Sequence, residues 1–519
     1  MHGTLAWPLE HAARPHGDRL AVIDGDRRLT YRELHDRVRR LGTGLATLDL
    51  APGAFVGVLM GNSLEHLEAW LAVPASGRVL NTLNTRLAVP ELAFMLDDCG
   101  TEVLVVDAEH LETGRALRDR CPGLRELVFA GAGECPPDCV PYAALLAEAG
   151  TAPPDLDPDT VAAVSYTGGT TGRPKGVLLS HANLMANTKH LWHTDGFQRE
   201  DRYLHAGPMF HGAASQMVHP VTWVGATHVM LPRFTPDGFA RQVADHGVTV
   251  SVLVPTMIAM LLDHLERHPA DLSSLRLLHY GASPMSADAL RRAMRMLGCD
   301  FLQGYGMTEA GVGATWLPPQ DHRLALAGEH PERLASVGYA IPGVQVEIRD
   351  LGGAPVADGT VGEVWVRGPN IMQGYLNRPE ETAHALVDGW YRTGDLAYGD
   401  AAGYVFLVDR LKDMIISGGE NVYSIEVERA LASHEAVAEV AVIGLPDDRW
   451  GERVHAVVVT TAGSAVTEAE LAEHCRARIA AYKVPKSIDV RADPLPKSGA
   501  GKILKQQLRR PTTPDPGET

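Results

Sequence analysis

Val164-Ser165-Tyr166-Thr167-Gly168-Gly169-Thr170-Thr171-Gly172-Arg173-Pro174-Lys175-Gly176 gathers glycines, threonine hydroxyls, an arginine and a lysine into one short stretch. Glycines let the backbone curl so that several N–H groups face one anion. The hydroxyls and Lys175 add donors and positive charge. A polyphosphate suits such a segment. The Walker pattern is excluded, because it runs Gly, four residues, Gly-Lys-Ser/Thr and then a helix. Here Pro174 precedes Lys175, and Gly176-Val177-Leu178-Leu179 follows. Proline biases its predecessor away from helix, and the apolar runs on both sides read as strands. The spacing predicts a hairpin flap over phosphates. A Gly/Thr-rich surface turn is the plainer alternative.

Other clusters carry polar groups where a plain fold would not need them. In Gln303-Gly304-Tyr305-Gly306-Met307-Thr308-Glu309, glycines beside Tyr305 would admit a flat ring, and Glu309 offers a carboxylate of the kind Mg²⁺ prefers. Tyr391-Arg392-Thr393-Gly394-Asp395-Leu396 puts a carboxylate at a turn, suited to ribose hydroxyls or simply to capping the turn. Asp409-Arg410-Leu411-Lys412-Asp413 joins a β region to a C-terminal unit. Pro496-Lys497-Ser498-Gly499-Ala500-Gly501-Lys502-Ile503 sets Lys502 on a glycine-rich loop. His211, in Pro208-Met209-Phe210-His211-Gly212, is either a pocket residue or a core histidine.

The elements that must hold these groups alternate between helix and strand. Thr30 and Glu33 form a capping box for a first helix. Phe55 to Met60 and Glu102 to Val106 read as strands, with Leu64 to Val73 an amphipathic helix and another helix starting at Val89. Residues 130–158 read as a loop between subdomains. Further on, Ala182 to Trp192 and Met285 to Leu297 read as helices, and Val248 to Val254 and Leu275 to Tyr280 as strands. Such βα alternation predicts a doubly wound α/β sheet. Residues 335–408 read as short strands, and beyond 412 comes a small α+β unit with strands Val437 to Ile443 and Val454 to Val459.

At 519 residues the chain is too long for one core, so several subdomains are expected. A net charge of −17 argues against a nucleic-acid surface. Only eight of the 47 basic residues are lysines, which draws attention to Lys175, Lys412 and Lys502. The six cysteines lack paired CxxC spacing and read as reduced thiols. No stretch resembles a signal peptide or reaches transmembrane length, and a cytoplasmic enzyme is expected.

From Arg28-Leu29-Thr30-Tyr31 to Lys502, in the same order, these motifs resemble the adenylate-forming superfamily of acyl-CoA synthetases, peptide-synthetase adenylation domains and luciferases. The resemblance implies a large N-terminal region of two α/β sheets plus a β subdomain (1–408), a hinge at 409–412 pivoting on Lys412, and a small mobile α+β domain (413–519). It implies that Thr167, Gly168, Gly169, Thr170, Thr171, Gly172 and Lys175 embrace the ATP phosphates. Thr308 would touch phosphate and Glu309 bind Mg²⁺. Gly281, Ala282, Ser283, Tyr305, Gly306 and Met307 would surround adenine, with Asp395 and Arg410 on the ribose. Lys502 would reach the α-phosphate and the attacking carboxylate. Ser417, Gly418 and Gly419 would line the path of the CoA thiol. His211, Ala214, Gln216, Met217, Gly304 and Val312 would line an acyl pocket for a medium-chain, branched or aryl acid.

The implied substrates are ATP, a carboxylic acid and coenzyme A, with Mg²⁺. A homodimer is compatible, and nucleic acid and an integral membrane segment are not implied. Two other readings stay open: an adenylating enzyme with another acceptor (an amine, a carrier-protein pantetheine) or an unusual acid such as nitrite, and a non-catalytic binding protein. The chain departs from the usual motifs at Gly169, where Ser is commonest, and at Ser424, where Pro is usual.

Overall fold

The computed structural model describes residues 3–167, 173–283, 285–418, 420–447, 449–461, 463–497 and 503–509. The chain divides into two compact units, 1–346 with 366–392, and 347–365 with 393–519. Segments 347–365 and 393–408 thus group with the C-terminal part, which differs from a line drawn at 409.

The first unit contains two large sheets. One runs Gly374–Tyr375, Lys175–Ser180, Val161–Thr167, Val79–Thr82, Phe55–Leu59, Val103–Val106, Glu126–Phe129 and Val140–Pro141. The other runs Tyr339–Ala340, Thr315–Leu317, Asp300–Tyr305, Leu277–Gly281, Val250–Leu253, Arg202–His205, Thr227–Met230, Leu20–Asp24 and Arg27–Thr30. Their central pairs are parallel, and antiparallel pairs lie at one edge of the first sheet and at both edges of the second, as expected of strands joined by covering helices. The Thr30 capping box is formed, with Glu33 bonded to the Thr30 N–H.

Two expectations change. The helix Leu64–Ala75 is not amphipathic, because nearly all its side chains are buried. Its residues share a core with Val56, Val58 and Leu80 of one sheet and Val22 and Met230 of the other. A helix packed on all sides has no polar face to show, and its one buried acid, Glu68, is held by Arg37 at 2.5 Å and the Tyr142 hydroxyl at 2.7 Å. Tyr142 belongs to the segment expected to be only loop. That segment instead contributes an edge strand, Val140–Pro141, and a helical turn, Tyr142–Leu145.

In the second unit, residues 395–399 of the strand Trp390–Gly399 pair antiparallel with Val405–Arg410 and bring Asp395 opposite Arg410. A second sheet runs Glu420–Val422, Ile415–Ser417, Gly451–Thr460 and Val437–Asp447, with Ser487–Arg491 also beside Gly451–Thr460. The hairpin of Val437–Asp447 and Gly451–Thr460 is longer than expected, because Gly444-Leu445-Pro446-Asp447 reads as a turn yet pairs through to Gly451.

Ser424 has a clear role in this unit. It is fully buried, its N–H donates to Asp409, and its hydroxyl bonds Asp409 Oδ1 at 3.0 Å. Lys505 donates to Ser424 Oγ at 2.6 Å and pairs with Glu428 at 2.8 Å. Burial pushes the Asp409 carboxyl up, so each of these donors matters to it. Proline suits the first helical position, but it has no N–H to give Asp409. Ser424→Pro is expected to lower stability by about 1–3 kcal/mol, and Ser424→Ala by less, because alanine keeps the N–H. Thermal melting of the full chain tests this, and equal losses for the two variants would remove the N–H from the explanation.

Candidate active site

The strands Val161–Thr167 and Lys175–Ser180 form the expected hairpin, paired from Val161↔Ser180 to Thr167↔Lys175. Gly168, Gly169, Thr170, Thr171 and Gly172, between those ends, lie outside the described residues. At its base stands Glu309, on the short 3₁₀ turn Thr308–Ala310 and 9% exposed. Thr167 Oγ1 is 3.4 Å from Glu309 Oε1, and the Tyr375 hydroxyl donates to the same oxygen at 3.1 Å. Lys175 Nζ lies 4.9 Å from the centre of the Tyr375 ring, a cation–π distance. The arrangement presents one carboxylate and one ammonium around a single tyrosine.

Sequence reasoning did not single out Tyr375. It enters through Gly374–Tyr375, which pairs antiparallel with Lys175–Ser180. The same segment props the Glu309 turn. Met372 N–H bonds the Glu309 carbonyl at 2.9 Å, and Asn370 Nδ2 donates to the carbonyls of Ala310 and Gly313 at 2.6 and 2.7 Å.

The glycines around Tyr305 act differently from the expectation that they clear room for a ring. A Cβ on Gly306 would lie 1.9 Å from the Val312 carbonyl, and one on Gly281 would lie 2.3 Å from the Gly304 carbonyl. The side-chain position of Gly304 is taken by His279, whose Nε2 would be 2.6 Å away. These glycines are required by close packing of the protein on itself. His279 is held by the fully buried Asp195, at 3.0 Å from its Nδ1. Val312 adopts φ 84°, a left-handed conformation that strains a β-branched residue; such strain clusters at functional sites. Tyr305 is buried, whereas Ala282 and Ser283 are exposed.

Behind the Glu309 turn lies a cavity lined in part by Trp70, Asn187, Gln216, His219, Thr308 and Val312. Of the expected acyl-pocket residues it collects Gln216 and Val312. Met217 instead packs in a core with Phe197 and Tyr203, and Ala214 is also buried. His211 caps the short helix Gly212–Ser215, its Nδ1 accepting from Ala213 N–H at 3.3 Å. Burial pushes its pKa down, as does the nearby charge of Arg86, so the ring is neutral at pH 7.

In the second unit, Asp395 and Arg410 face each other across the strand pair, Arg410 Nε 3.1 Å from Asp395 Oδ1. Thr393 Oγ1 accepts the Asp395 N–H at 3.0 Å. The arginine therefore braces the carboxylate. Lys412 is exposed on the turn that follows. Ser417 is buried, and Gly418, at φ 63°, lies against Trp450, whose ring a Cβ would meet at 2.9 Å. Arg449 and Lys486 flank that indole at 4.9 and 5.5 Å. Lys483 is tied to Glu426 at 2.7 Å. Gly419 and Lys502 lie outside the described residues; Lys497 and Ile503 form an antiparallel bridge.

Mg²⁺ needs oxygen ligands and retains several waters, so one protein carboxylate beside substrate phosphates is a usual protein share. Glu309 fits that share. Among the described residues no group of three His, Cys, Asp or Glu could cage an ion. No helix among them is long and apolar enough to cross a membrane.

Comparison with known proteins places this geometry. Residues 9–376 match the model of AMP-binding enzymes, and residues 426–502 match that of the AMP-binding enzyme C-terminal domain. A feruloyl-CoA synthase of Amycolatopsis sp is 42% identical over 98% of this chain and 99% of its own length. An indoleacetate–CoA ligase of Aromatoleum aromaticum is 36% identical over 97% of each chain. The crystal structure of ATP-bound MatB from Rhodopseudomonas palustris superposes with a TM-score of 0.88 at 31% identity, over 98% of both chains. The chain is thus an enzyme and belongs to the AMP-binding, adenylate-forming family of acid–thiol ligases.

Proposed function

We propose that this enzyme activates an aryl carboxylic acid as its acyl-adenylate and passes the acyl group to the thiol of coenzyme A. The observation that supports it is the Glu309 carboxylate beside Thr167, Tyr375 and the Lys175 strand. The aryl preference rests on the feruloyl-CoA and indoleacetate–CoA ligases among its relatives.

In the first step a carboxylate oxygen attacks the α-phosphorus, the P–O bond to pyrophosphate breaks, and pyrophosphate leaves with the electron pair. Two anions must meet, so the barrier is electrostatic and positioned positive charge is the main catalytic device. Mg²⁺, when held by Glu309, supplies part of that charge. Lys175 steadies the departing pyrophosphate, with the Tyr375 ring fixing its ammonium. Lys502 is assigned to the α-phosphate and the incoming carboxylate. The braced Asp395 carboxylate accepts from the ribose hydroxyls. In the second step the thiolate sulfur attacks the acyl carbonyl, the C–O bond to AMP breaks, and AMP leaves.

The C-terminal unit supports the second step. Trp450 is partly exposed beside Gly418 and is flanked by Arg449 and Lys486, a combination suited to a base and phosphates. Trp450→Ala is expected to raise the KM for CoA about tenfold, more than it raises the KM for the acid, since one stacked ring is worth roughly 1–3 kcal/mol. Steady-state kinetics with each substrate varied in turn decide it, and a matched rise in both constants would remove Trp450 from the CoA site.

The decisive experiment is a carboxylic-acid panel with ATP, read by mass spectrometry with and without CoA. Acyl-CoA and AMP from hydroxycinnamic acids are expected. AMP formation that never yields a thioester would favour an amine or carrier-protein acceptor.

A further inference from the structure

The cavity behind the Glu309 turn has polar groups that no described residue satisfies. Asn187 Oδ1, Gln216 Oε1 and both ring nitrogens of His219 are buried without a hydrogen-bond partner. Asn187 is 2% exposed and His219 3%. Gln216 is oriented, because its Nε2 donates to the Ala213 carbonyl at 3.1 Å and leaves Oε1 as the open acceptor. Trp70 is fixed by its Nε1 bond to the Met209 carbonyl at 3.2 Å and meets the His219 ring edge-on at 6.5 Å. Buried polar groups are almost always paired, and each unpaired one costs about 1–3 kcal/mol. Three such side chains converging on one cavity point to a ligand that pairs them.

The chemistry of that ligand follows from the lining. Burial pushes His219 down to about 3, so its ring is neutral and offers one N–H and one lone pair. The two amide oxygens accept only. Trp70, Leu179 and Leu184 supply apolar wall. No charged side chain among the described residues lines the cavity, so a second carboxylate on the substrate would find no described partner there. A saturated chain would leave all three polar groups unpaired. A hydroxyl can donate to an amide oxygen and accept from the His219 N–H. The cavity volume is about 20 Å³, room for one water or one hydroxyl-sized group and not for a whole substrate. Its lining also includes Thr308, on the Glu309 turn, and Val312.

We infer that this cavity is the far end of the acyl site and selects aromatic acids bearing a neutral ring hydroxyl, which donates to one of the amide oxygens of Asn187 and Gln216 and accepts from the His219 N–H. The inference rests on the acid-activating function proposed above and deepens it. Asn187, Trp70 and His219 lie outside the pocket residues that the motifs alone suggest.

The test compares 4-hydroxycinnamate with cinnamate in acid-dependent ATP–pyrophosphate exchange, which needs no CoA. The wild-type enzyme is expected to favour the hydroxylated acid by about ten- to a hundredfold in kcat/KM, the range for a site whose polar groups one substrate leaves unpaired. Gln216→Leu and His219→Phe are expected to bring that ratio towards one. Gln216 is only partly buried, so its variant keeps the test open should His219→Phe fail to fold. Equal kcat/KM for the two acids in the wild-type enzyme overturns the inference, as does an unchanged ratio in folded Gln216→Leu. Thioester formation with both acids alike would overturn it while leaving the ligase reading intact. Selective exchange without any thioester would do the reverse.

Discussion

Glu309→Gln lowers acid-dependent ATP–pyrophosphate exchange by about 10²–10³-fold while leaving the fold intact, the magnitude typical of removing one positioned electrostatic group. Glutamine is the informative substitution. Its amide oxygen can still accept from the Tyr375 hydroxyl and from Thr167, which bond Glu309 Oε1 in the native protein. The turn that carries residue 309 is held by backbone and by Asn370, so its position does not depend on the charge. What disappears is one negative charge beside the Val161–Thr167 and Lys175–Ser180 hairpin, and with it the share of a magnesium site proposed for Glu309. Tyr375→Phe is expected to cost less, about tenfold, the low end of the roughly 1.5–3 kcal/mol that a hydrogen bond to a charged acceptor is worth, because Thr167 still bonds the same oxygen. Exchange assays with ATP and Mg²⁺ varied together, alongside melting temperatures, check both. Exchange within threefold of wild type in Glu309→Gln would withdraw the metal role.

The contrast between Glu309 and Tyr375 shows what local sequence can convey. Glu309 stands in a run of glycine, tyrosine and threonine whose composition already signals chemistry. Tyr375 sits 66 positions away and reaches Glu309 through strand pairing, a long-range contact that no periodicity encodes. The hairpin was legible because Pro174 and the flanking apolar runs act locally. The glycines beside Tyr305 were legible as glycines, yet their cause was not: Val312 strained at φ 84° and the His279 ring under Gly304 are tertiary neighbours. Ser424 read as a loss of proline, and only the buried Asp409 and Lys505 around it explain the exchange. The polar end of the acyl cavity was hidden for the same reason. Asn187 and His219 come from separate helices that look like ordinary helical sequence.

Acid should unfold the N-terminal unit well before its carboxylates titrate. Seven histidines there are held far below their ordinary value: burial pushes His66, His181, His190 and His322 down to about 4 and His219 and His228 to about 3, and His205 well below its usual range. Two of them have their protons fixed by bonding. Thr222 donates its hydroxyl to the Val218 carbonyl at 2.7 Å and so must accept from His228 Nε2, at 3.0 Å. His228 Nδ1 is then an acceptor for His205 Nε2–H, at 2.9 Å. A proton added to His228 would set two donors face to face. In the unfolded chain each ring takes up a proton near pH 6.5. Folded pKa values below that mean the unfolded state binds more protons between about pH 4 and 6.5, so stability is complete above pH 6.5 and falls as pH drops through that window. Each ring contributes about 1 kcal/mol of loss by pH 5.5. His110, raised by its bond to Asp107, and Glu68, raised by burial, oppose this but are only two groups. The sum is several kcal/mol, comparable with the roughly 5–15 kcal/mol that holds a typical protein folded. Calorimetric melting between pH 7.5 and 5 should therefore show a fall of about 10 °C or more, steepest below pH 6.5. A melting temperature flat across that range would mean that the buried rings exchange protons in the folded state, and the His205–His228–Thr222 chain could not then have fixed donors and acceptors.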